Sequence, residues 1–106
     1  MAQIIWTEPA LLELDKIGEY IALDKYSAAK NLIQQVFSRV DQLKQFPESG
    51  RKPPELPKNS RYREVIVGSC RIFYREEKSK IYIIYVMRSE RALRKFILED
   101  REIISD

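Results

Sequence analysis

At 106 residues the chain is one domain, 1–106, with a single modest core; a third of its residues are charged beside an ordinary apolar content of 44%, which excludes a disordered chain and describes a folded one with a charged surface. It has no histidine and one cysteine, which excludes Ser-His and Cys-His catalysis and the usual zinc sites and leaves Arg, Lys, Tyr, Glu and Asp for any chemistry. The net charge of +3 is uneven, with −2 over residues 1–50, +8 over 51–95 and −3 over 96–106, so the central segment favours an anionic partner such as nucleic acid or an acidic protein segment.

The lone Cys70 rules out an internal disulfide and points to a reducing compartment. The first residues, MAQIIWTEPALLE, lack the basic and apolar regions of a signal peptide, and no apolar run approaches a membrane span. A cytoplasmic protein with no membrane partner, no metal and no cofactor is therefore expected.

In chain order, QIIWT (3–7) is a short strand. Thr7 is a candidate N-cap, and Pro9 stands in a first helical turn, where its missing N–H costs little. Leu11, Leu14, Ile17 and Ile21 then recur at threes and fours, which predicts an amphipathic helix over about 8–23. LDKYS breaks it, with Asp24 or Ser27 as the next cap. Ala29, Leu32, Ile33, Val36, Phe37, Val40 and Leu43 carry a second helix to about Phe46. Two such helices on a short link form an antiparallel hairpin.

Residues 46–60, FPESGRKPPELPKNS, hold four of the five prolines and predict a stiff internal loop. The rest reads as sheet. RYREVIV (61–67) and CRIFYRE (70–76) flank Gly68-Ser69, a two-residue hairpin turn. That turn sets Val67 against Cys70, Val65 against Ile72 and Arg63 against Tyr74 on a face for the helices to cover. It sets Ile66 against Arg71 and Glu64 against Phe73 on the other face. The second face, with Tyr62, Glu64, Arg71, Phe73 and Arg75, reads as open, basic and aromatic. EKSK turns again into KIYIIYVMR (80–88), apolar on both faces and hence a central strand, with Ile81, Ile83 and Tyr85 on one side and Tyr82, Ile84 and Val86 on the other. Ser89 is a candidate cap for a short final helix carrying Leu93, Phe96 and Ile97, and the last residues are expected to fray. The fold class is thus α+β: a strand, an antiparallel helical hairpin, a three-stranded antiparallel sheet and a possible short C-terminal helix.

At this point the chain resembles the RelE/ParE superfamily of type II toxin–antitoxin toxins from Ile4 to about Phe96. The resemblance rests on ALLELDKIGEYI (10–21), Ala28-Ala29, LKQFPESGR (43–51), RYREVIV (61–67), CRIFYR (70–75) and VMRSER (86–91). No single piece is specific, but the FPxxGR loop followed by RIxY and VxRxxR at this spacing is a strong combined pattern. The helix-hairpin segments and the FPxxGR loop are closer to the ParE branch. The resemblance implies a toxin that inhibits DNA gyrase and growth, is neutralised by a cognate antitoxin, and has no catalytic residue of its own. The alternative is a RelE-like, ribosome-dependent mRNA endoribonuclease. A second alternative is a nontoxic relative that keeps the antitoxin contact.

For the endoribonuclease, the resemblance implies phosphate contact by Arg71, a second arginine after the last strand (Arg88 or Arg91) and a basic residue at Arg63. Val65 stands where another lysine is found in that branch, and Arg94, Lys95 and Phe96 stand where a late tyrosine is found. RNA cleavage also needs a proton acceptor and donor, which here fall to Glu64, Tyr74, Tyr82, Tyr85 or Glu90. For antitoxin or target binding the candidates are Arg71, Phe73, Arg75, Arg88 and Arg91, and the four arginines read as one shared basic surface.

Overall fold

In the computed structural model, residues 1–101 are described; the fraying expected of the last residues falls outside them. The elements are β1 (Gln3–Trp6), α1 (Glu8–Ala22), α2 (Tyr26–Asp41), a 3₁₀ turn (Gln42–Lys44), β2 (Tyr62–Val67), β3 (Cys70–Glu77), β4 (Lys80–Arg88) and α3 (Lys95–Asp100). Thr7 holds the extended N-cap backbone and Pro9 lies in the first turn of α1. The Thr7 hydroxyl, however, donates to the Ile83 carbonyl at 2.7 Å, tying the start of the helix to the sheet. The second helix is capped at Lys25, without a side-chain bond, rather than at Asp24 or Ser27. It tightens into the 3₁₀ turn before Phe46.

The sheet has four strands, not three. Its order is β1-β4-β3-β2, with β1 parallel to β4 and the other pairings antiparallel. The central position of β4 is as the sequence predicts. All five β2–β3 pairs read from the Gly68-Ser69 turn are present. Gly68 supplies the positive φ of that turn, and Lys78 and Ser79 both supply it in the next.

Two corrections concern faces. A bulge sets Phe73 against Tyr85 but Tyr74 against Ile83, so β4 has one residue too many there. The alternation breaks, as a bulge requires. Ile81, Ile83 and Val86 join the core under the helices, while Tyr82, Ile84 and Tyr85 join the opposite side. Tyr85 and Val86 have thus exchanged the sides expected of them.

The second correction is that the other sheet face is not open. Tyr62, Glu64, Arg71, Phe73 and Arg75 are all buried. The cover comes from the 46–60 segment, a strap that brings Glu55 and Leu56 over β3, and from the C-terminal segment with Leu93 and Leu98. The Tyr62 hydroxyl donates to the Leu98 carbonyl at 3.1 Å. Ser89 does not cap α3; its N–H and hydroxyl both donate to the Ser69 carbonyl, and Arg94 holds the N-cap position.

Because β1 stops at Trp6, β4 has a strand on that side only as far as Ile83. Beyond it, side chains complete the edge. Glu13 accepts the Val86 N–H at 3.1 Å, and Arg101 donates to the Ile84 carbonyl at 3.0 Å. Glu13 and Arg101 pair with each other at 2.9 Å. An unpaired edge invites association, and short edges closed by charged side chains discourage it.

Candidate functional site

The six arginine and aromatic candidates do not form one surface. They divide into a buried network under the strap and a cleft at the end of β4.

The network begins with the strap. Tyr74 rises from β3 to donate its hydroxyl to the Pro47 carbonyl at 2.7 Å and to accept the Gly50 N–H at 3.0 Å. Arg63 donates to the Gly50 carbonyl at 2.9 Å. The backbones of Arg51 and Glu64 exchange two hydrogen bonds of 2.9 Å. The FPxxGR stretch is therefore the root of the strap, and Arg63 is one of its fastenings.

On the opposite face, Glu64 is fully buried between two guanidinium groups. Arg51 Nε donates to its Oε2 at 2.9 Å, and Arg71 Nε to its Oε1 at 2.6 Å. Arg71 also clasps Glu55 of the strap, through Nη1 at 2.7 Å and Nη2 at 2.8 Å, a bidentate pair. Its guanidinium lies 5.0 Å from the Phe73 ring centre. The Arg71 guanidinium holds the Glu55 carboxyl down to about 2. Arg75 is equally buried, with Nε 3.4 Å from Glu77 and its guanidinium 5.4 Å from the Tyr82 ring centre.

Of the acid–base candidates, Tyr82 lies against Arg75 and Glu90 pairs with Arg88. Glu64 is enclosed by its two cations. Burial pushes the Tyr74 and Tyr85 hydroxyls above the usual tyrosine range, making them poorer bases at neutral pH. Burial likewise raises Cys70, which keeps it a thiol. Arg63 and Arg71 sit on opposite faces of the sheet, so one phosphate cannot meet both.

Arg88 and Arg91 occupy a different place. A cleft of about 440 Å³ opens between α1 and the end of β4, with an apolar floor of Ile17, Val86 and Met87. Arg88 reaches it because the bulge has set β4 one residue out of step. Its guanidinium stacks 4.3 Å from the centre of the Tyr20 ring and pairs with Glu90 at 2.6 Å. Lys16 and Arg91 line the same cleft, both exposed, and neither has an ion-pair partner among the described residues. The cleft can accept an anionic group with an apolar neighbour. Among the described residues no cluster of three or more His, Cys, Asp or Glu could hold a metal ion, and no helix is long and apolar enough to cross a membrane.

Sequence reasoning missed Glu55, Arg51, Lys16, Tyr20, Glu13 and Arg101. Glu13, Lys16 and Tyr20 lie off the apolar stripe of α1, which marks them only as surface residues. Glu55 stands alone in a proline-rich loop, and nothing in the sequence names its partner.

The sequence matches the family model for the ParE toxin of the type II toxin–antitoxin system, parDE, over residues 4–93. It is 43% identical over 49 residues to the Y4kP protein of Sinorhizobium fredii, an alignment covering 46% of this chain and 51% of that one. It is 37% identical over 51 residues to toxin RelE2 of Caulobacter vibrioides, covering 48% of this chain and 58% of that one. The chain thus spans about half the length of these curated relatives. A solved structure described as the chromosomal ParDE TA system from P. aeruginosa aligns with 83% of this chain and 96% of that one, at a TM-score of 0.68 and 24% identity, a likeness of fold.

Proposed function

Since the chain belongs to the ParE toxin family of type II toxin–antitoxin systems, we propose that it is a growth-inhibiting toxin that binds DNA gyrase in the cytoplasm, carries no catalytic centre of its own and is neutralised by a cognate antitoxin. The observation that carries this reading is the state of Arg71. A nuclease of the RelE kind would turn this guanidinium toward a phosphate; here it is engaged by two carboxylates, Glu55 and Glu64, and covered by the strap. The raised tyrosine hydroxyls point the same way, since RNA cleavage needs a base as well as charge stabilisation. A toxin that stabilises a harmful state of gyrase needs a binding surface instead. The β4 cleft, with Arg88, Arg91 and Lys16 around an apolar floor, has the composition of one for an acidic antitoxin segment or the target.

The test is gyrase supercoiling of relaxed plasmid, titrated with purified protein with and without antitoxin. Loss of supercoiling with accumulation of cleaved DNA, reversed by antitoxin, is the expected result. Folded, antitoxin-competent protein without effect on gyrase would sink the reading. The likeness to toxin RelE2 makes cleavage of mRNA on translating ribosomes the next assay in that event.

A further inference from the structure

The two outer strands of the sheet are not finished alike. On β2 the backbone groups turned away from β3 belong to Tyr62, Glu64 and Ile66. The Tyr62 N–H goes to the Ser60 hydroxyl, and Glu64 exchanges its two bonds with Arg51. That leaves Ile66 alone beside the hairpin turn. On β1 the N–H groups of Gln3 and Thr7 donate to Ser79 and Ile83 on the β4 side, so by alternation those of Ile4 and Trp6 face outward. Among the described residues neither these N–H groups nor the matching carbonyls have a hydrogen-bond partner. The strand, QIIW, carries no charge, proline or bulge, the devices that usually keep an edge from pairing. Beside it Trp6 tilts against the exposed ring of Phe37, 5.0 Å between centres. With Ile4 and Val40 these rings line a depression between β1 and α2.

We propose that a second copy of the chain adds to this edge, β1 antiparallel to β1 about a two-fold axis at Ile5, so that the two sheets continue as one. The choice of occupant follows from self-complementarity. Two such strands have one register in which Ile4 lies opposite the partner's Trp6 and Trp6 opposite the partner's Ile4. There every outward N–H of both copies meets a carbonyl. A slip of two residues either way pairs Ile4 with Ile4 or Trp6 with Trp6 and leaves the other residue unmatched. In the full register the partner's Trp6 comes beside Ile4, next to the depression lined by Phe37 and Val40. On the opposite face the half-buried Ile5 side chains meet across the axis, in the closer kind of antiparallel pair. The charges agree as well. The register sets Glu8, exposed and without an ion-pair partner among the described residues, level with the partner's Ala2. The N–H of Ala2 is held by the Lys44 carbonyl, and the Lys44 side chain pairs within its own turn with the exposed Asp41. Glu8 of each copy thus approaches Lys44 of the other. The inference is independent of the gyrase reading.

The experiment is sedimentation equilibrium of the purified whole protein over a concentration series, with amide hydrogen exchange at Ile4 and Trp6 read at both ends of it. A reversible monomer–dimer equilibrium is expected, weak because the strand is short. Exchange at both amides should slow as dimer accumulates. Ile5→Lys, which sets like charges against each other at the axis, should raise the dissociation constant about tenfold or more. Glu8→Lys should raise it about threefold, and adding Lys44→Glu should restore it. A monomer at every concentration up to about 1 mM overturns the proposal. So does a dimer whose Ile4 and Trp6 amides exchange as fast as in the monomer, or one that Ile5→Lys leaves intact, since the contact then lies elsewhere. If Ile5→Lys does not fold, the exchange measurement and the charge swap decide: slowed amides with a restoring swap support the edge, and unslowed amides overturn it.

Discussion

Gly50 illustrates how a single position can carry a motif. A Cβ there would lie 2.5 Å from the Tyr74 hydroxyl and 2.7 Å from the Glu64 carbonyl oxygen. One of these obstacles is backbone and cannot move aside. The residue next to it, Arg51, is locked to Glu64 by backbone and side chain together. Gly50→Ala should therefore push the strap off the sheet and destabilise the protein by about 1–3 kcal/mol, as overpacking does elsewhere. Urea denaturation should give a lower midpoint with an unchanged slope. An unchanged midpoint would mean that the strap is not held at this point.

At the scale of elements, the strap is the piece whose attachment senses acid. Its Glu55 carboxyl titrates at about 2 rather than 4.5 because of the Arg71 guanidinium. A carboxyl depressed in the folded state contributes stability in full above its unfolded value and loses it as pH falls toward the folded one. The window is thus from about pH 4.5 down to about pH 2. In Glu55→Gln this component is missing, so the difference in thermal midpoint between the two proteins should be constant at neutral pH and disappear across that window. Because Glu55 is a third exposed, the difference will be modest. A difference that persists at pH 2 would assign the effect to packing instead.

The same elements separate what could be read in the sequence from what could not. The β2–β3 register followed from one turn, because Gly68 and its neighbour leave few ways to close a hairpin. The helices followed from their apolar spacing. The bulge opposite Phe73 and Tyr74 left no mark, since Ile84, Tyr85 and Val86 fit either side of a sheet. The cover over the second face could not be inferred either. It comes from Glu55, Leu56 and Leu98, residues distant in the chain from β3, and an alternation of basic and aromatic residues looks the same whether exposed or covered. In the sequence Arg71 and Arg75 thus have the look of surface residues, although the fold buries both.

For the whole molecule, two groups of basic side chains stand out within the excess of positive charge over residues 51–95. One is turned inward: Arg63 and Arg71 fasten the strap, and Arg75 is buried beside Tyr82. The other reaches the cleft beside α1, where Arg88, Arg91 and Lys16 gather. Under the proposed function, the double charge reversal Arg88→Glu with Arg91→Glu should leave the fold intact and weaken antitoxin binding at least tenfold, about 1.4 kcal/mol. The loss should come with a flatter dependence on salt. Calorimetry at two ionic strengths reads both, and growth inhibition should fall in parallel. Unchanged affinity and toxicity would remove the cleft from the interaction.

The parallel pairing of β1 with β4 also bears on when the protein can become itself. Gln3 finds its partner in Lys80, and at ordinary rates of synthesis of about 5–20 residues per second the two are made roughly 4–15 s apart. During that interval the helical hairpin exists without the sheet that covers its apolar side, and β1 has nothing to join. A chain whose synthesis is interrupted before β4 lacks the neighbour of both β1 and β3, together with the cleft at the strand's end. Such a fragment would contain both helices and still be unable to build the four-stranded sheet or display the basic residues at its rim.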